Sequence, residues 1–93
     1  MKIADPEFES IPVDVTTIRS YGLTWIVDYY TTKKQAKTIC DHLRNLFPNM
    51  ITSIIEDIND QNGQIDYIAE LKFLSEEAEA EFIFKSDNIV ITL

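Results

Sequence analysis

The stretch EDINDQNGQIDYIAELKFL, residues 56–74, decides the fold because it joins a turn dipeptide to a strongly alternating segment. Asn62-Gly63 is the preferred dipeptide of the two-residue type I′ hairpin turn. Beyond it, apolar residues occupy every second position: Ile65, Tyr67, Ala69, Leu71 and Phe73. Alternation with a period of two is typical of a strand with one buried face, so the stretch predicts a hairpin whose outer face carries acids.

The residues before this hairpin predict a strand, a helix and a second strand. Residues 23–30, LTWIVDYY, and residues 50–58, MITSIIEDI, are rich in the aromatic and β-branched side chains that favour strands. Between them, apolar residues recur at helical spacing: Ala36, Ile39, Cys40, Leu43, Leu46 and Phe47. Thr32 and Gln35 form a capping box at the start of this helix, and Pro48 ends it.

The rest of the chain completes a β-α-β-β-α-β order. Ser75 is suited to cap a second helix that reaches about Lys85, and residues 88–93, NIVITL, predict a last strand. Right-handed crossovers place both helices on one face of a four-stranded antiparallel sheet. We therefore predict a single α+β, ferredoxin-like domain over residues 23–93. Its topology resembles that of RNA-recognition motifs and ACT domains, without the signature of a family.

The segment before this domain is predicted to be an extended N-terminal arm, residues 1–22. Pro6 and Pro12 disfavour a helix, and a short strand is expected near residues 13–18. The arm either folds over the outer face of the sheet or leaves that face free, and the sequence does not distinguish these arrangements.

The overall composition limits the class of function. The chain has 93 residues, enough for one domain, and 16 acidic against 8 basic residues give a net charge of −8. This surplus of acids disfavours contact with phosphate backbones and favours basic partners. A single cysteine forms no internal disulfide, and no apolar run reaches the length of a membrane span. We therefore expect a cytoplasmic protein that does not bind membranes.

Motifs for metals and catalysis are incomplete. Counted from Asp57, an EF-hand calcium loop would need its closing Glu at the position of Ile68. Cys40 lies on the apolar face of the first helix, and His42 points away from it, so the two form neither a nucleophile pair nor a zinc site. We expect no metal, no cofactor and no enzymatic activity.

The outer face of the predicted sheet argues against RNA binding. RNA-recognition motifs stack bases on aromatic residues of the third strand and carry a basic residue there. This chain has Ile68 and Glu70 in place of the aromatic residues and Asp66 in place of the basic one. We therefore expect no direct nucleic-acid binding.

The same face predicts a protein-binding site. Ile26 and Ile68 are expected to form an exposed apolar centre surrounded by acids, a pattern typical of interaction surfaces. The predicted partner-binding residues are Ile26, Asp28, Tyr30, Asp66, Ile68 and Glu70, with Glu56 nearby. The acids would pair with Lys or Arg of the partner, and Tyr30 is suited to act as an anchor.

The leading expectation is a non-enzymatic protein-binding module or inhibitor that acts on a basic partner. In a sharper form it mimics nucleic acid, by analogy of size and charge with phage-encoded inhibitors. The alternatives are an ACT-like domain that binds a small molecule and a dimerising accessory subunit. ACT domains usually carry a Gly-rich loop after the first strand, where this chain has YYTTKK at residues 29–34.

Overall fold

The computed structural model describes residues 1–7 and 11–93 and has α+β architecture. Its elements in chain order are β1 (Lys2–Ala4), β2 (Val13–Asp14), β3 (Thr16–Tyr21), β4 (Thr24–Thr31), α1 (Lys33–Leu46), β5 (Met50–Ile58), β6 (Ile65–Phe73), α2 (Glu76–Lys85), a 3₁₀ turn (Ser86–Asn88) and β7 (Val90–Thr92). Within the described residues, no helix is long and apolar enough to cross a membrane.

The first helix begins and ends where its sequence predicts. Thr32 accepts a hydrogen bond from the Gln35 N–H, and the Gln35 side chain accepts one from the Thr32 N–H, which confirms the capping box. Along α1, helical spacing brings one set of residues into the core: Ala36, Ile39, Cys40 and Leu43. Phe47 is buried just beyond the helix, whereas Leu46 is half exposed.

Four strands form an antiparallel sheet in the order β3-β4-β6-β5. The predicted pairing of β4 with β6 and of β6 with β5 is confirmed. A ferredoxin-like order would place the last strand beside β4, but β3 occupies that position as the partner of β4 in a hairpin. The ferredoxin-like order is therefore not confirmed, because the first and last thirds of the chain pair differently.

The first and last strands meet in a second sheet of three strands, β2-β1-β7. β1 runs parallel to β7, and Ile3 lies opposite Ile91, with both side chains buried. Val15 donates its N–H to the Met1 carbonyl at 2.9 Å where the chain passes from this sheet into β3. The segment predicted as an arm thus contributes strands to both sheets and apolar side chains to the core.

The second helix closes the core with an aromatic side chain. Ser75 caps α2 by accepting a hydrogen bond from the Ala78 N–H, as predicted. Phe82 projects from α2 into the core, and its ring centroid lies 5.1 Å from that of Phe73 and 5.4 Å from that of Phe47. These edge and tilted contacts join both helices to β6.

The hairpin between β5 and β6 differs from the prediction. The predicted type I′ turn needs positive φ at both Asn62 and Gly63, yet only Gly63 has it, at +71°. The loop is longer, residues 60–63, and Asn59 closes it by donating to the Gln64 carbonyl and accepting from the Gly63 N–H. The prediction of a two-residue turn is therefore wrong. The wider loop is stabilised by the side chains of Asn59 and Asn62, which accept hydrogen bonds from the N–H groups of Gln61 and Gln64.

Candidate binding face

One side of the four-stranded sheet packs on the helices, and the other side, called the outer face here, does not. Val27, Ala69 and Leu71 mark the helix side, because all three are buried in the core. Strand alternation then places on the outer face Ile18 of β3, the even-numbered residues of β4 and β6, and the odd-numbered residues of β5.

Six of the seven predicted site residues share this outer face. These are Ile26, Asp28, Tyr30, Asp66, Ile68 and Glu70. Ile26 lies opposite Glu70 across the β4–β6 pair, and Ile68 lies opposite Ile55 across the β6–β5 pair. The alternation of β6 therefore identified the right set of side chains on its own strand and on β4.

Glu56, the seventh predicted residue, is not on this face. It lies opposite Tyr67, whose side chain points to the helix side. The neighbouring Asp57 takes the outer position, directly opposite Asp66. The sequence did not reveal this phase, because Ile51, Ile54, Ile55 and Ile58 supply apolar residues to both sides of β5.

The apolar part of the face is arranged differently from the prediction. Ile68 was expected to be exposed, but it is only 9% exposed because it lies in a central strand among the neighbouring side chains. The exposed apolar area comes from the flanking strands, with Ile18 at 47% and Ile51 at 56%. The prediction that Ile26 and Ile68 form an exposed apolar centre is therefore wrong for Ile68. Ile26 is half buried.

The acids of the outer face have few partners within the described residues. The three ion pairs among the described residues involve the carboxylates of Asp41, Glu79 and Glu81, none of which belongs to the outer face. Glu70 accepts a hydrogen bond from the Ser53 hydroxyl at 2.9 Å, which holds its carboxylate over β5. Within the described residues these acids thus form no ion pair, and the one base among the even-numbered residues of β6, Lys72, lies two residues from Glu70.

Residues 1–7 of the N-terminal segment pack in the core and beside α1. Ile3 is in the core, and Asp5, Pro6 and Glu7 line a cleft together with residues of α1. Residues 8–10 lie outside the described part of the chain. Whether the arm covers the outer face is therefore answered for residues 1–7 and 11–22. Within these, β3 widens the outer face and adds Ile18 to it.

Cys40 has the surroundings of a core residue. Cys40 is buried, and burial raises the pKa of its thiol above the ordinary value, with a smaller opposing effect from its hydrogen bond with Thr52. The Cys40 thiol also contacts the Ser53 carbonyl at 3.6 Å. Among residues 1–7 and 11–93, no group of acids, His and Cys is arranged to hold a metal ion. The contacts of Cys40 with Thr52 and Ser53 are typical of a thiol in a protein core.

Comparison of the chain with protein-family models, curated proteins and solved structures gives no match. The function is therefore argued from the geometry and charge of the outer face.

Proposed function

We propose that this chain is a non-enzymatic protein-binding module or inhibitor whose outer face binds a basic surface of a partner protein. The observation that carries the proposal is the composition of that face, which has acids that form no ion pair within the described residues and exposed isoleucines on its flanking strands. A cytoplasmic location belongs to the same proposal.

The pairing of residues across the strands supports an electrostatic role for the face. Asp57 and Asp66 lie directly opposite each other, an arrangement of like charges that weakens a sheet. A Lys or Arg from a partner would relieve this repulsion on binding. The net charge of −8 would also attract a basic partner over longer distances and speed its association.

The apolar residues supply the second part of the interaction. Ile18 lies opposite Ile26 in the β3–β4 pair, and Ile51 lies opposite Lys72 in the β5–β6 pair. Burial of exposed isoleucine contributes about 25 cal/mol per Å² of apolar area. A sheet face with acids and exposed isoleucines suits a partner that presents basic side chains around an apolar patch. If the chain mimics nucleic acid, that partner is a nucleic-acid-binding protein.

The experiment compares two variants that raise the net charge equally. Asp28→Lys/Glu70→Lys changes the outer face, and Glu77→Lys/Glu81→Lys changes α2 on the other side of the sheet. Each immobilised protein is exposed to native lysate at low and high salt, and captured proteins are identified by mass spectrometry. Thermal melts establish that both variants are folded.

The expected result is a basic protein captured at low salt by the wild type and by the α2 variant, absent from the outer-face variant, and released at high salt. Capture that is the same for all three proteins, or that resists high salt, would contradict the proposal.

A further inference from the structure

A cleft opens at one end of the four-stranded sheet, between its outer face and its helix side, where the pairing of β4 with β6 changes register. The shift lies between Val27 and Thr31, and the β3 partner of β4 ends at the pair Thr16–Asp28. The cleft has a volume of about 340 Å³, and its walls include Tyr29, Tyr30, Tyr67, Asp5, Asp66 and Gln35. A concave site of this size with aromatic walls and polar groups that fix the orientation of a ligand is a common form of a ligand site.

We propose that this cleft binds the guanidinium group of an arginine side chain. The inference rests on the proposed function, because the arginine would belong to the basic partner, and it identifies the anchor by which that partner is held.

The aromatic walls suit a planar cation. Tyr30 projects from the outer face and is 54% exposed, whereas Tyr29 packs against the core from the helix side. Tyr67 lies opposite Thr31, beyond the register shift. The rings of Tyr29, Tyr30 and Tyr67 all line the cleft. A guanidinium stacks on such rings through cation–π contact, and arginine makes these contacts more often than lysine.

Two carboxylates at different depths complete the site. Asp66 is half buried and belongs to the outer face, where Asp57 lies opposite it. Asp5 is only 4% exposed, and it accepts one hydrogen bond at each oxygen, from the Gln35 Nε2 and from the Glu7 N–H, both at 3.1 Å. A carboxylate has about four acceptor positions, so Asp5 keeps acceptor capacity beside the cleft.

The geometry favours arginine over an anion and over lysine. No ion pair within the described residues neutralises Asp5 or Asp66. The start of α1 borders the cleft, but Thr32 and Gln35 satisfy each other's N–H groups there, so these donors are not free to hold an anion. Arginine offers five donors in a planar group that also stacks on aromatic rings, whereas the ammonium of lysine offers three donors on a compact, strongly hydrated charge.

The test is an NMR titration of the ¹⁵N-labelled full chain with three short peptides. Acetyl-Gly-Arg-Gly-amide carries the proposed group, the citrulline peptide has nearly the same shape without charge, and the lysine peptide has the charge without the planar fork. The same titration is repeated on Asp66→Asn and Tyr30→Ala, with Glu77→Gln on α2 as the matched control. The spectra themselves report whether each variant is folded.

The arginine peptide is expected to bind in the millimolar range and to shift amide signals of residues 29–31 and 65–67. The citrulline peptide and the Asp66→Asn variant should each weaken binding by about tenfold, as loss of a charge-assisted hydrogen bond does. Glu77→Gln should bind as the wild type does. Equal binding of the arginine and citrulline peptides, or of the arginine and lysine peptides, would overturn the inference, as would shifts located elsewhere.

The result is independent of the lysate experiment. If the peptide does not bind while capture of a basic protein still depends on Asp28 and Glu70, the cleft is excluded and the proposed function stands. If the peptide binds in the cleft while capture does not depend on the outer face, the proposed function fails and the cleft stands.

Discussion

The indole N–H of Trp25 donates a hydrogen bond to a carboxylate oxygen of Glu79 over 2.8 Å, and this contact ties β4 to α2. Glu79 is a buried acid in the first turn of α2, and the Nε of Arg19 on β3 lies 3.6 Å from the same oxygen. Three elements therefore converge on one carboxylate. The ring of Trp25 also meets Phe82 edge-on at 6.2 Å, so polar and apolar contacts fix the same helix.

Replacement of Glu79 by Ala should destabilise the protein by about 1–3 kcal/mol, because the indole N–H loses its acceptor in a largely buried setting. The measurement is urea unfolding followed by tryptophan fluorescence. Glu81→Ala is the matched control on the same helix, and loss of its exposed pair with Lys85 should cost less than about 0.5 kcal/mol. Equal losses in the two variants would show that the Trp25–Glu79 contact is not important for stability.

The pairing of Ile3 with Ile91 predicts that the N-terminal segment is part of the core. Ile3→Ala should cost about 2–5 kcal/mol, the usual range for deletion of a fully buried side chain. Ile11→Ala changes the same residue type at an exposed position nearby and should have little effect. A thermal melt of each variant is sufficient, and an Ile3→Ala protein as stable as Ile11→Ala would contradict the β1–β7 pairing.

The capping box predicts a smaller loss at the start of α1. Thr32→Ala removes the acceptor of the Gln35 N–H and should cost about 1 kcal/mol. Thr38→Ala, in the same helix, removes only a hydroxyl bonded to the Lys34 carbonyl and serves as the control. Chemical denaturation of both variants tests the difference, which should be absent if residues 32–35 do not form the cap.

The opposed pair Asp57 and Asp66 predicts a variant that is more stable and binds less well. Asp57→Asn should stabilise the fold by about 0.2–1 kcal/mol, because it removes a like-charge repulsion between facing strands. Asp60→Asn, in the loop, removes the same charge without an opposing acid in the β5–β6 register. A stabilisation that appears equally in both variants would reflect only the less negative net charge. In the lysate experiment, Asp57→Asn is also expected to capture less of the basic partner.

Burial of the Cys40 thiol predicts low reactivity and a defined pH dependence. Because the thiol is buried and its pKa is raised, alkylation by iodoacetamide at pH 7.5 should be slower in the native protein than in urea. The neutral thiol is the form that the fold favours, so its contribution to stability is fully present below the unfolded pKa of about 8.5 and is lost as the pH rises through the higher folded pKa. The free energy of unfolding of the wild type should therefore fall more steeply above pH 8.5 than that of Cys40→Ala. Native alkylation as fast as in urea would be inconsistent with this burial.

Local signals predicted the parts of the fold that depend on neighbouring residues. Thr32 and Gln35 are three positions apart, so the start of α1 could be read directly, and Ser75 gave the start of α2 in the same way. The alternation after Gly63 placed Asp66 and Glu70 correctly on the side opposite the helices.

Long-range pairing was not predictable in the same way. The sequence of β7 is short and apolar and suits an edge position beside β4 as well as one beside β1, and only the packing of Ile3 and Ile91 distinguishes them. The sequence predicts β3 only in part, because Gly22 ends the predicted arm, whereas in the structure it forms the turn between β3 and β4 at φ +55°. The phase of β5 is left open by the sequence for a related reason, since isoleucines on both sides cancel the alternation that would separate Glu56 from Asp57.

The parallel pairing of β1 with β7 has a consequence for how the chain folds. The two strands stand at opposite ends of the sequence, so their pairing closes the longest loop in the molecule, whereas β3–β4 and β5–β6 are hairpins between neighbours. Chain entropy opposes the distant contact more strongly than the local ones. We expect the two hairpins to collapse onto α1 first and the small sheet to assemble last, as the rate-limiting closure of the native state.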